Sequence, residues 1–252
     1  MTEPSAGKVA LITGSSRGIG RAIALRLAAA GMGIAVNYAR NEEAAKETVE
    51  KISSLGAKAF AFQANVGDPK AAEELVQAAA SRFGRIDVLV HNAALGAFKP
   101  LHQLRPNQWD LSLEINAKAF LFLTQKVLPY MEKQGAGNIL ALSSLGARRF
   151  IPNYGAIGIS KAAVENMARY LAVELAPKNI RVNCVSGGLV DTDALKAFPS
   201  YEKMKEEVIH RTPGKRIGEP DDLARVAAFL VSEDSRWIVG QTIIADGGLS
   251  LI

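Results

Sequence analysis

Short apolar runs alternate along the whole chain with longer amphipathic stretches, a pattern that predicts a parallel sheet covered by helices on both faces. The runs lie near Val9–Thr13, Ile34–Tyr38, Ala59–Gln63, Ile86–His91, Asn138–Ser143, Ile180–Val185 and Thr242–Ala245, so seven strands are expected. Helices fill the gaps near Gly18–Ala30, Glu42–Leu55, Pro69–Phe83, Asn107–Met131, Tyr154–Ala176 and Pro220–Val231. Pro129, lacking an N–H, is expected to kink or end the fourth of these. Right-handed crossovers then give a doubly wound α/β sheet whose ligand crevice lies beyond the carboxyl ends of the strands.

With 252 residues and 48% hydrophobic content, the chain can bury one substantial core, and a single domain is expected. The lone Cys184 lies in an apolar run with Ile180, Val182 and Val185, which predicts a buried, inert thiol in a reducing cytosol. Met1 to Gly7 lacks a basic segment followed by an apolar stretch, and no run approaches the ~20 apolar residues a bilayer requires. The expectation is a soluble cytoplasmic protein that does not use a membrane. A net charge of +5 favours acidic partners through long-range attraction. Basic residues are interleaved with acids, as in Lys203, Lys205, Glu206 and Glu207, which points to solvated helix faces and away from nucleic acid. No metal site is assigned.

Directly after the first strand comes Thr13-Gly14-Ser15-Ser16-Arg17-Gly18-Ile19-Gly20, opening onto the first helix. Glycines suit that place because the backbone must turn sharply and let a pyrophosphate approach the positive end of the helix. The strand-before, helix-after placement predicts a Rossmann-like nucleotide site built from Gly14, Ser16, Arg17, Gly18, Ile19 and Gly20. An NAD-preferring protein would offer an acid to the ribose 2′-hydroxyl at the end of the second strand. This chain has Asn37-Tyr38-Ala39-Arg40. Without an acid there, Arg40 and Arg17, beside Tyr38, can instead match the 2′-phosphate of NADPH in charge and shape, or serve only as surface cations.

Tyr154 and Lys161 carry the candidate chemistry. The segment Ile151-Pro152-Asn153-Tyr154-Gly155-Ala156-Ile157-Gly158-Ile159-Ser160-Lys161, together with the glycine spacing, resembles the short-chain dehydrogenase/reductase family. In that family a tyrosine usually stands four residues before the lysine, and here that slot is Ile157. A spacing of four or of seven returns to roughly the same helix face, but the rise is about 6 Å against about 10.5 Å. The phenol moves one turn farther from the lysine. The resemblance covers essentially the whole chain and is nearest to the NADPH-dependent type III enoyl-acyl-carrier-protein reductases, which share the Tyr-x6-Lys spacing. Ser143-Ser144-Leu145-Gly146, Val185-Ser186-Gly187-Gly188 and Asp191-Thr192-Asp193-Ala194-Leu195 are similar to that branch.

The resemblance implies hydride transfer from NADPH to the β carbon of an enoyl thioester, on acyl-carrier protein or coenzyme A, in fatty-acid biosynthesis. Tyr154 would meet the enolate oxygen, and Lys161 would supply positive charge beside the phenol and hold the nicotinamide ribose. Asn65 and Val66 resemble the adenine segment, and Asn92 and Ala93 the turn after the fourth strand, where His91 and Ala94 depart from the family's Asn-Asn-Ala-Gly. His91 reads as a structural histidine at a strand end. Val190 and Thr192 are the contacts implied for the carboxamide, and residues 192–215 are expected to form a substrate-binding loop that closes over an acyl chain. Two readings stay open for Ser144: touching substrate, as in ketone-reducing relatives, or capping the strand end. Asn116 matches the family asparagine that props a proton path to the lysine, or is a satisfied helix polar group. Ser144 and Asn116 pull towards a second reading, reduction of 3-oxoacyl thioesters or other carbonyls, and a third is a nucleotide-binding regulatory protein without catalysis. Arg148, Arg149, Lys203 and Lys205 are expected to attract an acidic carrier protein, and a homotetramer through the two long helices is implied.

Overall fold

The apolar runs become β1 (Val9–Ile12), β2 (Gly33–Tyr38), β3 (Ala59–Gln63), β4 (Val88–His91), β5 (Gly137–Ser144), β6 (Ile180–Gly187) and β7 (Thr242–Ala245) in a computed structural model that describes residues 7–196 and 201–252. Among the described residues these strands form one parallel sheet in the order β3-β2-β1-β4-β5-β6-β7. The chain winds outward from β1 in one direction and from β4 in the other. The crevice at the carboxyl ends of that adjacent pair is therefore the topological switch point, where α/β sheets bind ligands.

The helices are α1 (Gly18–Ala29), α2 (Glu42–Ser54), α3 (Pro69–Phe83), α4 (Pro106–Leu113), α5 (Ala119–Gln134), α6 (Gly155–Leu175), α7 (Asp193–Lys196), α8 (Tyr201–Arg211) and α9 (Pro220–Val231). Local chemistry sets several ends. Asn41 accepts a hydrogen bond from Ala44 N at the start of α2, and Asp68 accepts one from Lys70 N with Pro69 in the first turn of α3. Gly84 and Gly135 close α3 and α5 in the left-handed conformation.

Alternation along the strands divides the core into two layers. Leu11, Leu89, Ile139 and Val182 face α3, α5 and α6, packing with Leu75, Phe120, Leu123 and Val164. Their neighbours Ile12, Val90, Leu142 and Val185 face α1 and α9, packing with Ile23, Leu27, Leu223 and Leu230. Central strands are buried on both faces, which is why they read as continuous apolar runs.

Three expectations are corrected. The fourth helix does not end at Pro129: α5 runs on to Gln134, because one missing N–H is outweighed by burial of Val127 and Met131 on either side. Its irregularity lies earlier, in a π-helical turn over Glu114–Lys118 that separates α4 from α5. The segment after β6, expected to be a loop, carries α7 and α8, while Pro199 lies outside the described residues.

Candidate active site

The first turn of the crevice is built by hydrogen bonds that reach well beyond its own sequence. Gly14 and Gly18 have positive φ, +61° and +57°, which side chains disfavour. Asn37, where an acid would have met a ribose, is buried and occupied: its Oδ1 accepts from Gly14 N at 3.1 Å, and its amide donates to Ala64 O at 3.1 Å. Arg21 donates from Nε and Nη2 to Ser16 O at 3.0 and 2.7 Å, and from Nε to Thr48 Oγ1 at 2.8 Å, pinning the turn to α2. Asn92 Nδ2 donates to Thr13 O and Gly14 O, both at 3.0 Å. The turn is thus held against the start of α1, leaving the first N–H groups of that helix directed at the crevice.

The glycine cradle fits a pyrophosphate. A methyl group added at Gly20 would lie 2.5 Å from Asn92 Nδ2 and 2.6 Å from Gly14 O. Gly20→Ala is therefore expected to destabilise the fold by about 1–3 kcal/mol, lowering Tm by roughly 3–10 °C in a thermal scan. An unchanged Tm would mean that the turn yields freely.

Arg17 and Arg40 are both exposed at the mouth of the crevice, and among the described residues neither has an ion-pair partner. Tyr38, two residues before Arg40, is buried. Asn65 is exposed, with Oδ1 accepting from Gly67 N, whereas Val66 packs into the core, so only its main chain is left for a ligand. Thr192 stands over the turn: a methyl built on Gly18 would meet its Cγ2 at 3.6 Å. Val190 is held near the same crevice by a parallel bridge to Gly218. Ser16, Ile19 and Ala93 complete the group, so the structure brings the sequence-assigned nucleotide residues to one end of the sheet.

Beyond β5 and a 3-10 turn over Leu145–Ala147, the backbone passes through Asn153, in the left-handed region at φ +61°, and delivers Tyr154 as the N-cap of α6. Its ring lies against Gly146, where an added methyl would come within 2.5 Å of the phenol ring, and it packs against Phe98 with centroids 5.7 Å apart. Burial pushes the phenol pKa up, and a hydrogen bond with Ser144 partly offsets that. Ser144 Oγ also accepts from Gly146 N at 3.3 Å, so it both caps the strand end and meets the tyrosine. Lys161 is 4% exposed, and its Nζ donates to Leu142 O at 2.6 Å. Burial lowers the lysine's pKa to about 8. Ile157, in the slot four residues before Lys161, is 6% exposed and pressed against Gly96.

Some residues prove to be committed elsewhere. Arg148 pairs with the buried carboxylate of Glu165 at 2.8 Å, and Glu165 also accepts from Ser143 Oγ at 2.7 Å. Arg149 donates to the carbonyls of Ser250 and Ile252. The charge of Arg148 is thus paired within the fold, whereas Arg149, held by main-chain oxygens alone, is exposed and keeps its charge. Cys184 is buried, and its thiol pKa is pushed up to about 12, which leaves it inert. A cavity of about 510 Å³ at the end of β7, lined by Gly188, Val208, Arg216 and Gly247, contains none of the candidate reacting residues. Arg21, Asn37 and Glu165 were not singled out from the sequence, because their partners are distant in the chain. Among the described residues no helix is long and apolar enough to cross a membrane.

A nucleotide cradle at a switch point, beside a tyrosine and a buried lysine on one helix, matches a known group of proteins. A family model described as enoyl-(acyl carrier protein) reductase matches residues 14–250. The chain is 42% identical over 247 residues to 1-cyclohexenylcarbonyl-CoA reductase of Streptomyces collinus, covering 97% of this chain and 88% of that one. It is 38% identical over 242 residues to 3-oxoacyl-[acyl-carrier-protein] reductase of Staphylococcus epidermidis, covering 96% and 98%. A short-chain dehydrogenase from Burkholderia cenocepacia, solved in complex with NADP, superposes with a TM-score of 0.91 at 35% identity, covering 98% and 99%. The chain belongs to the short-chain dehydrogenase/reductase family and is an oxidoreductase of that family.

Proposed function

We propose that this protein is an NADPH-dependent reductase of acyl thioesters, and that the bond it reduces is the 2,3-double bond of an enoyl thioester. The observation that carries this reading is the exchange of positions on α6: an apolar Ile157 fills the slot four residues before Lys161, and the phenol stands at the helix cap, seven residues before it. In a ketone, the oxygen that gathers charge is bonded to the carbon that accepts hydride. In an enoyl thioester, the charge gathers on the thioester oxygen, beyond the α carbon. A phenol one turn away from the lysine suits the second arrangement.

NADPH, when bound, supplies the hydride. The residues fitted to hold it are the cradle of Gly14, Ser16, Gly18, Ile19 and Gly20, with Arg17 and Arg40 at the 2′-phosphate. Asn65, Val66, Asn92, Ala93, Val190 and Thr192 line the remainder. Tyr154 donates its proton towards the enolate oxygen, and Ser144 fixes the direction of the hydroxyl. Lys161 lowers the energy of the phenolate left behind, because opposite charges stabilise one another strongly where water is excluded. The described parts of the segment, 192–196 and 201–215, close over the acyl chain, with Arg149, Lys203 and Lys205 as cations for an acidic carrier. The setting is fatty-acid biosynthesis in the cytoplasm. Exposure of Tyr170 and Val173 on α6, 66% and 76%, supports a homotetramer, which sedimentation measures directly.

Carbonyl reduction is the second reading. The nearness of Ser144 to the Tyr154 phenol favours it, and so do the relatives named for 3-oxoacyl reduction, whose names weigh towards it more than towards the first. The relative named for 1-cyclohexenylcarbonyl-CoA acts on a thioester whose acyl group carries a ring double bond, which supports the first. NADPH consumption on crotonyl and acetoacetyl thioesters, measured side by side, decides between them: faster turnover of crotonyl thioester is expected, and preference for acetoacetyl would establish carbonyl reduction instead.

A further inference from the structure

Between the nucleotide turn and the helix that bears Lys161 runs a line of buried polar side chains: Thr13, His91, Asn116 and Ser160, all at 0% exposure. At one end, Asn92 N and Ala93 N both donate to Thr13 Oγ1 at 3.0 Å. The hydroxyl hydrogen of Thr13 is then free to point at His91 Nδ1, 3.4 Å away. His91 Nε2 lies 3.0 Å from the main-chain oxygen of Asn116. A carbonyl can only accept, so the hydrogen of a neutral ring sits on Nε2, and Nδ1 is the acceptor. The ring is stacked on Phe120 with centroids 5.6 Å apart. Burial, with the charge of Lys161 close by, lowers its pKa to about 3 and keeps it neutral.

Asn116 continues the line. It lies in the π-helical turn, and its Oδ1 accepts from Leu95 N at 2.8 Å while Nδ2 donates to Leu95 O at 3.0 Å and to Ser160 Oγ at 2.9 Å. Ser160 Oγ in turn donates to Ile157 O at 2.7 Å, next to Lys161 on α6. Every hydrogen-bonding group in the line has at least one partner of the right kind, a condition under which buried networks fix a single arrangement.

We infer that His91 is a positioning residue, locked as the Nε2–H tautomer, which sets the register between the nucleotide turn and the helix carrying Lys161. This rests on the proposed reductase reading. The family pattern has an asparagine at this place, a shorter side chain, so a ring bridging Thr13 and Asn116 is a property of this chain.

Nitrogen NMR of the imidazoles, with and without NADPH, needs no turnover. It should show His91 protonated at Nε2 and bare at Nδ1 at neutral pH, and the opposite tautomer would overturn the inference. Kinetics give the second test. His91→Leu should leave NADPH affinity within about threefold yet lower kcat about tenfold or more, as small misplacements of reacting groups do. His91→Gln, whose amide can donate to Asn116 O from the place of Nε2, should recover most of that loss. Ser160→Ala cuts the other end of the line, and the double variant should lose clearly less than the product of the single losses, the mark of a shared network. A folded His91→Leu with wild-type kcat, or losses that simply multiply, would overturn the role. A wild-type protein that consumes NADPH on neither thioester would overturn the reductase reading instead, while the tautomer is still decided by NMR.

Discussion

Changing Lys161 to methionine is expected to reduce turnover by about 10²- to 10³-fold, the range for losing a preorganised charge beside a reacting group, while the fold at pH 7 becomes no less stable. The lysine is 4% exposed, and burial holds its pKa at about 8 against an ordinary 10.5. Keeping that ammonium protonated inside the folded protein at neutral pH therefore costs about 3 kcal/mol. Methionine removes this cost but strands Leu142 O, which loses its 2.6 Å donor, at about 1–3 kcal/mol. The two effects nearly cancel.

The pH dependence separates them. Because the folded pKa lies below the unfolded one, the unfolded chain binds more protons between pH 8 and 10.5, and the stability of the wild-type protein rises with pH across that window. Above it the amine is neutral in both states and only the lost hydrogen bond distinguishes the variant. The methionine protein should thus match the wild type in urea at pH 7 and fall behind it at pH 10.5 by about 1–3 kcal/mol. Wild-type turnover should decline as pH rises through about 8, since a neutral amine no longer stabilises the phenolate. A stability difference that stays constant with pH would mean Lys161 is not buried as a cation.

The parts of this molecule that depend on neighbours in sequence were legible, and those that depend on contacts across the chain were not. Val88–Val90 and Ile180–Val185 announce themselves because a parallel strand buried on both faces can hold little but apolar residues. The nucleotide turn announces itself because glycine, strand and helix must follow in that order. By contrast, Tyr201–Arg211 reads as a charged segment flanked by prolines, and only its burial of Tyr201 against Asp191 shows that α8 packs onto the site. The π turn at Glu114–Lys118 has no local signature either, since Asn116 is drawn out of the regular ladder by Leu95, His91 and Ser160. Glu165 illustrates the same limit: a carboxylate on the inner face of α6 conflicts with helical patterning until Ser143 and Arg148 are seen beside it.

Removing one oxygen from Tyr154 is expected to be the most informative change at the site. Tyr154→Phe keeps the ring between Gly146 and Phe98, so folding and NADPH affinity should be nearly unchanged, while kcat falls about 10²- to 10⁴-fold through loss of the proton donor. Adding Ile157→Tyr to that variant returns a phenol to the slot four residues before Lys161. The structure shows what that demands. Gly96 is so close to Ile157 that an added methyl would lie 2.3 Å from its Cγ1, so a larger side chain at 157 must push the loop after β4 away, at about 1–3 kcal/mol. If the position of the phenol selects the bond reduced, the double variant should regain activity on acetoacetyl thioester and not on crotonyl thioester, with a lowered Tm. Crotonyl reduction that survives without a tyrosine at 154 would place the proton donor elsewhere, and Ser144, next to the phenol, would be the group to change next.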